Sequence, residues 1–328
     1  MSKKIKMEDI AKKLDISIVS VSKALSGKEG VSTETRDNVL KVAEELGYSK
    51  IKKLDFSELH KTILIIVSEK FFSDSSFYSN LYATLLQRLT LQGFTTILEI
   101  VTQTMEYSNH LPSSLENPDI AGVIFMGEIS RSYIDETIKS NLPYCFLDFY
   151  DPNYAVNSVV SDSMTGSFLL TKHLIDKGLK NIAFVGSIDK TSSIMDRFLG
   201  YSKAMILNNL ENNVIHLEDR DKDGKFIPVT LPNKIPEAFV CNCDEIAFRY
   251  IQCLRDHNYK VPTDVSVVGF DGSVISAIST PTISTYVVDV KSMADVTVSI
   301  MSRLVRQKEV TIRRNIIAGN MTLRDSSL

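Results

Sequence analysis

The chain has 328 residues, 44% of them apolar and 23% charged, which suits a globular protein of two or three domains with a sizeable core. Its apolar runs, such as Ile63 to Val67, have strand length and are too short for a bilayer, and the N-terminus lacks an apolar signal region. No membrane partner and a cytoplasmic location are therefore expected, with Cys145, Cys241, Cys243 and Cys253 as reduced thiols. The net charge of −3 argues at first against nucleic acid. Its distribution points the other way: residues 1–53 hold twelve Lys and Arg against eight Asp and Glu, a net +4, and the remainder 25 against 32, a net −7.

Met7 to Leu25 predicts two short helices at a sharp turn. In the first, Ile10, Ala11 and Leu14 form one apolar stripe, with Glu8 and Asp9 early and Lys12 and Lys13 late, as the helix dipole favours. Ser17 is placed to cap the second helix, Ile18 to Leu25, whose inward positions are Val21, Ala24 and Leu25. Ile18, Val19, Ser20, Ser22 and Lys23 are then left facing outward. Two apolar residues, two hydroxyls and a cation suit a helix in a DNA major groove, meeting thymine methyls, phosphates and guanine. A small helical bundle with an apolar face fits the same pattern. Ser32 is expected to cap a third helix, opened by Thr33 to Arg36 and ended by Gly47, with Val39, Val42, Ala43 and Leu46 inward.

KMEDIAKKLDISIVSVSKALSG followed by VSTETRDNVLKVAEELGYS resembles the headpiece of the lactose-repressor/galactose-repressor family of bacterial transcription regulators, almost unbroken from Ile5 to Ser49. The resemblance implies a helix-turn-helix DNA-binding domain over 1–49, with Ser17 and the outward set as the DNA-facing residues, joined by Thr33 and Arg36. It also implies a hinge over 50–61 that turns helical on DNA and wedges a leucine into the minor groove. Here the chain departs from the family, lacking the expected proline and small-residue run and being about two residues short. Lys50, Lys52 and Lys53 are the phosphate-contact candidates and Leu54 or Phe56 the wedge; a flexible linker fits nearly as well.

From Thr62 onward, short apolar runs alternate with helical periodicity, which predicts a parallel α/β fold. Strands are expected at 62–67, 95–101, 122–125, 144–147, 159–161, 181–185, 238–241 and 265–269, with helices at 80–92 (capped by Ser79), 165–177, 193–207 and 244–257. They form two similar halves, each a doubly wound sheet. GLKNIAFVG at Gly178, VSVVGFD at Val265 and the ending LRDS at Leu323 resemble the same family's effector domain. That implies a periplasmic-binding-protein-like (type I) domain over 62–328, its subdomain near DNA spanning about 62–157 plus 288–312 and the distal one about 158–287 plus 313–328. Glu211 to Pro236, with a charged loop and three prolines, lacks a helical repeat and is expected to be irregular.

Ligands of doubly wound sheets sit beyond the carboxyl ends of strands. Asp148, Arg197, Asp244 and Asp271 all follow predicted strands. The resemblance assigns Asp148, Arg197 and Asp271 to an effector's hydroxyls, for which carboxylate acceptors and a guanidinium fork are suited. Phe77 and Phe149 are placed either to stack on a sugar ring or to fill the core. Tyr78, Glu128 and Asp162 are weaker candidates, and Asp162 and Asp244 suit helix capping equally. Sugar-responsive relatives often have an Asn-Asp pair where this chain has Cys243-Asp244; cysteine is a poor partner for a hydroxyl, so either Asn242 takes over or the effector lacks that hydroxyl. A sugar or sugar derivative is the expected effector, with nucleobases and sugar phosphates open.

No enzyme motif emerges. G-x-G-x-x-G and G-x-S-x-G are absent, and Gly122 to Gly127 has phosphate-loop spacing but Glu128 where lysine is needed. Cys241-x-Cys243 lacks a second ligand pair, and no cofactor or metal is expected. The chain thus reads as a ligand-responsive repressor of carbohydrate-utilisation genes, binding a pseudo-palindromic operator as a homodimer. The alternative is a sugar-binding sensor that acts through a protein partner, its weak hinge having cost it specific DNA binding.

Overall fold

The structure, a computed structural model, describes residues 6–25, 31, 32, 35, 38, 39, 41–43, 46, 61–72 and 76–328. The expectations for Thr33, Arg36, Lys50, Lys53 and Leu54, and for the hinge up to residue 60, lie outside the described residues. The chain divides into two units, Met1–His60 and Lys61–Leu328.

In the first unit, helix α1 (Met7–Leu14) and helix α2 (Ile18–Leu25) have only eight residues each, too few to be stable alone. Packing supplies the stability. Ile10, Ala11, Val21 and Ala24 cluster with Val39, Val42 and Ala43 of the third helical stretch, with Leu14, Leu25 and Leu46 packed against them. Asp15 ends α1 in the left-handed region at φ +52°, which an aspartate tolerates better than most residues. The chain therefore reverses in three residues, and the Ser17 hydroxyl caps α2 by accepting from the Ser20 amide at 3.0 Å. Ser32 caps the third stretch in the same way, accepting from the Thr35 amide at 3.1 Å.

The second unit holds two six-stranded sheets. Its elements run β1 (Thr62–Ser68), α3 (Glu69–Phe72), α4 (Ser76–Leu91), β2 (Thr95–Val101), α5 (Gln103–Ser108), β3 (Ile120–Met126), α6 (Arg131–Ile138), β4 (Tyr144–Leu147) and β5 (Ser158–Ser161). There follow α7 (Ser163–Asp176), β6 (Ile182–Val185), α8 (Ser192–Leu207), β7 (Ile215–Leu217), β8 (Ala238–Cys241), α9 (Asp244–Asp256), β9 (Ser266–Asp271) and α10 (Val274–Ile278). Then come β10 (Ser284–Val287), α11 (Val290–Val305), β11 (Arg314–Ile317) and β12 (Asn320–Thr322).

The first sheet has the order β11-β5-β4-β3-β1-β2 and is wholly parallel; the second, β12-β10-β9-β8-β6-β7, is parallel except for β12. The two orders are the same doubly wound pattern repeated. Buried parallel strands read as continuous apolar runs, which is why β1 is buried at all seven positions. Close helix packing needs one glycine: a Cβ on Gly200 of α8 would lie 2.1 Å from the Met164 carbonyl oxygen of α7.

Two expected boundaries need correcting. Strand β5 pairs with β4, and β11 with β5, so both belong to the first lobe rather than the distal one. The chain crosses between lobes after β5, after β10 and after β11. Helix α4 begins at Ser76, so Ser79 lies in its first turn and does not cap it. Within the stretch 211–236, expected to be irregular throughout, Ile215–Leu217 form β7 beside β6; only the part after β7 is irregular, and its Phe226, Val229, Leu231 and Ile235 cover the second sheet where a crossover helix would otherwise pack.

Candidate functional site

On the head, α2 sorts its residues as the periodicity predicts. Val21 and Ala24 are buried, while Ile18 and Val19 stand 46% and 64% exposed, with Ser17 and Ser22 exposed and Ser20 and Lys23 half-buried. The Ser17 and Ser20 hydroxyls also bond each other at 2.8 Å, so both contribute to the cap as well as to the surface. An apolar pair ringed by hydroxyls and a cation on a rigid, capped helix has the chemistry to read base edges in a major groove.

In the body, the carboxyl ends of both sheets converge on one cleft between the lobes. Its inner part is a cavity of about 70 Å³ whose walls include Phe77, Tyr78 and Asp148 from the first lobe and Arg197, Cys243 and Asp271 from the second. Asp148 follows β4 at φ +67° and Asp271 ends β9 at φ +103°. Both strand ends thus hold an aspartate in the left-handed half of backbone space, a conformation that costs free energy unless its surroundings hold it.

Arg197 organises the second wall. Its Nη2 pairs with Asp271 Oδ1 at 3.1 Å, its Nη1 donates to the Asn242 carbonyl, and its guanidinium lies 3.9 Å from the centre of the Phe270 ring. The two charges are 7% and 10% exposed. Across the cleft, Tyr78 donates its hydroxyl to Asp148 Oδ2 at 2.7 Å. Among the described residues, Asp148 Oδ1 and Arg197 Nε are buried and have no hydrogen-bond partner. Such atoms cost free energy unless a ligand or water meets them.

Burial pushes the Asp148 carboxyl up to about 7, against the opposing pull of the Tyr78 hydrogen bond and of Arg197. It pushes Asp271 up to about 6, with Arg197 and Arg220 pulling the other way. Asp244, also raised to about 7 by burial, accepts from the Ser273 amide at 2.7 Å and so ties α9 to the segment after β9.

Five of the six expected ligand residues, Phe77, Asp148, Arg197, Cys243 and Asp271, line this cavity. Phe149 does not: it is 1% exposed and stacks on Phe146 at 4.3 Å, filling the core beneath β4. Of the weaker candidates, Tyr78 lines the cavity, Asp162 caps α7 by accepting from the Thr165 amide, and Glu128 accepts from the Ser192 amide of the opposite lobe at 2.7 Å. Asn242 does not replace the missing asparagine beside Asp244. Its amide donates to the Val185 carbonyl at 3.0 Å and to Asp219 Oδ2 at 2.7 Å, so that side chain serves the fold. Burial pushes the Cys243 thiol up to about 12, leaving a neutral, weakly polar wall there.

Other lining residues were not foreseen from the sequence, among them Lys70, Phe71, Arg220, Phe226 and Glu245. Arg220 follows β7, whose three residues give too short a pattern to mark a strand end. Its guanidinium lies 4.2 Å from the centre of the Phe226 ring.

A family model described as "Bacterial regulatory proteins, lacI family" matches residues 6–50, and one for a periplasmic binding protein-like domain matches 171–327. The chain thus carries a lacI-family regulatory domain at its head and a periplasmic-binding-protein-like domain in its body. It is similar along its whole length to the HTH-type transcriptional regulator RegA of Clostridium saccharobutylicum, 28% identical over 98% of this chain and 99% of that one. Catabolite control protein A of Priestia megaterium is 25% identical over 92% and 93%. Among solved structures, a CelR–cellobiose complex has a TM-score of 0.69 at 19% identity, covering 98% of this chain and 100% of that one. A lac repressor dimer bound to operator and the anti-inducer ONPF also has 0.69, at 20% identity over 99% and 100%. A lacI-family head accounts for α2's exposed apolar residues, and a periplasmic-binding-protein-like body accounts for the repeated sheet order. Among the described residues no helix is long and apolar enough to cross a membrane, and no group of three or more His, Cys, Asp or Glu is placed to hold a metal.

Proposed function

We propose that this lacI-family regulator is a repressor of carbohydrate-utilisation genes, a homodimer on a pseudo-palindromic operator, whose DNA affinity is set by a sugar or sugar derivative held between the lobes. The observation that carries the effector reading is the buried Arg197–Asp271 pair facing the Tyr78–Asp148 pair across one cavity. A hydroxylated ligand there gives Asp148 Oδ1 a donor and Arg197 Nε an acceptor, and so draws the two lobes together. The mode of assembly rests on similarity to regulators such as the operator-bound lac repressor dimer. Two heads then meet two half-sites through successive major grooves, with Ile18, Val19, Ser22 and Lys23 toward the bases.

Ligand and DNA must affect each other's affinity by the same factor, which makes the reading testable from either side. Purified protein is used to select fragmented genomic DNA at near-physiological salt, and the enriched site is then titrated in the presence of sugars. The expected result is one enriched pseudo-palindrome whose affinity changes with a sugar, and loss of that change in Asp271→Ala. Sequence-blind binding with every sugar would instead support a sensor acting through a protein partner.

A further inference from the structure

Outside the inner cavity lies a second chamber of about 450 Å³, and the two share Lys70, Phe71, Thr191 and Arg220 as walls. The two are therefore direct neighbours. The two differ in charge. The inner cavity is balanced, with Lys70, Arg197 and Arg220 against Asp148, Glu245 and Asp271. The outer one sets Lys70, Lys190, Arg220, Lys222 and Lys225 against Glu69, Glu106 and Asp223.

Those three carboxylates are already engaged. Glu69 accepts from the Gln103 amide at 3.0 Å, Glu106 from the Ser130 amide at 2.7 Å and the Ser68 hydroxyl at 3.2 Å, and Asp223 from the Tyr107 hydroxyl at 3.5 Å. The cations are less committed. Lys190 pairs with Asp189 at 2.8 Å, and Arg220 has Asp219 3.5 Å from its Nε and donates Nη1 to the Gly224 carbonyl at 3.4 Å, while among the described residues Lys222 and Lys225 form no ion pair. Lys70 comes from one lobe and Arg220, Lys222 and Lys225 from the other, so an anion between them is gripped from both sides. A chamber of net positive lining is also unusual in a body that carries 25 basic against 30 acidic residues.

We propose that the effector is an anionic sugar derivative, its ring in the inner cavity and a phosphate or carboxylate in the outer chamber. This deepens the effector reading above and rests on it. The charged group adds a contact that closes only when both lobes meet, so it acts as specificity determinant and as closing force together.

The test is calorimetric titration of the full chain with matched probes: glucose against glucose 6-phosphate and glucuronate, cellobiose against cellobiose 6-phosphate, and pyrophosphate alone. The expected result is binding of an anionic member about ten-fold or more tighter than its neutral partner, a difference that shrinks with salt. The double variant Lys222→Ala/Lys225→Ala, changed only at exposed side chains, should lose that preference and keep its unfolding temperature. Phosphate or carboxylate as the group is decided by which member wins. Equal affinity of charged and neutral partners, or no binding by any anionic probe, overturns the proposal. In Arg197→Ala, loss of sugar binding with retained pyrophosphate binding supports the division into two chambers. Pyrophosphate binding by wild type with no response to any sugar would instead remove the inner-cavity reading on which the proposal stands.

Discussion

The head and the cleft break the usual rule of polarity in opposite senses. Helix α2 keeps apolar Ile18 and Val19 outside, and the cleft keeps ionisable Asp148, Arg197 and Asp271 inside. Each inversion costs free energy in isolation, and each marks a surface whose partner is another molecule. The costs are unequal. Exposed methyl groups forfeit a modest hydrophobic gain, whereas a buried charge that loses its counter-charge forfeits most of its compensation.

That inequality sets the size of what should follow from breaking each. Arg197→Ala leaves Asp271 buried and unpaired, so it should abolish the effector response and lower body stability by about 3–5 kcal/mol in a denaturant titration. A loss below about 1 kcal/mol would mean that water reaches Asp271 freely. The next effect is on pH dependence. Asp148 is raised from 3.8 to about 7 by burial, so between these values the folded protein holds a proton that the unfolded chain has lost. Its stabilising contribution is therefore complete below about 4 and is lost as pH rises through about 7. Asp148→Asn should flatten that fall in unfolding free energy, measured from pH 4 to 8. In the wild type, affinity for a hydroxyl-donating effector should rise over the same window, because only the ionised carboxylate is purely an acceptor.

Changes on the head should be smaller and should fall on recognition rather than folding. Lys23→Ala should reduce preference for the cognate site over random DNA by about 1–3 kcal/mol in competition titrations. Val19→Ser should weaken site preference while changing unfolding free energy by less than about 0.5 kcal/mol, since Val19 is 64% exposed. A large stability loss there would show that Val19 belongs to a packed face.

The two regions also differed in legibility. The head's stripe of Ile10, Ala11, Val21, Ala24, Val39, Val42 and Ala43 could be assigned from periodicity because every member is local in sequence and apolar. In the body, the five-residue apolar run Ile63 to Val67 of β1 was plain, while β7, with three half-buried residues, was not. Asp148 and Asp271 were within reach because one follows and the other ends a strand that is almost wholly buried. Arg220 and Phe226 were not, because an irregular segment delivers them. Phe149 stayed undecided between ligand and core for a related reason: a residue after a strand end can turn either to the cleft or to the core, and the stacking on Phe146 decides it. The assignment of β5 and β11 to a lobe was likewise unreadable, since parallel strands share one apolar pattern whichever sheet accepts them.

The irregular run between β7 and β8 has a bearing on descent. It turns tightly at Gly224, where Asp221 accepts from the Asp223 and Lys225 amides, and it contributes Arg220, Lys222, Lys225 and Phe226 to the walls of the cleft. A helix in that position would tie wall residues to a 3.6-residue repeat, so insertions would rotate its packed face. A loop pinned at Asp219 and again by its apolar residues can lengthen, shorten or change charge between those anchors while the sheet beneath stays as it is. Ligand preference can then diverge quickly among descendants of one ancestor while the head goes on reading the same operator.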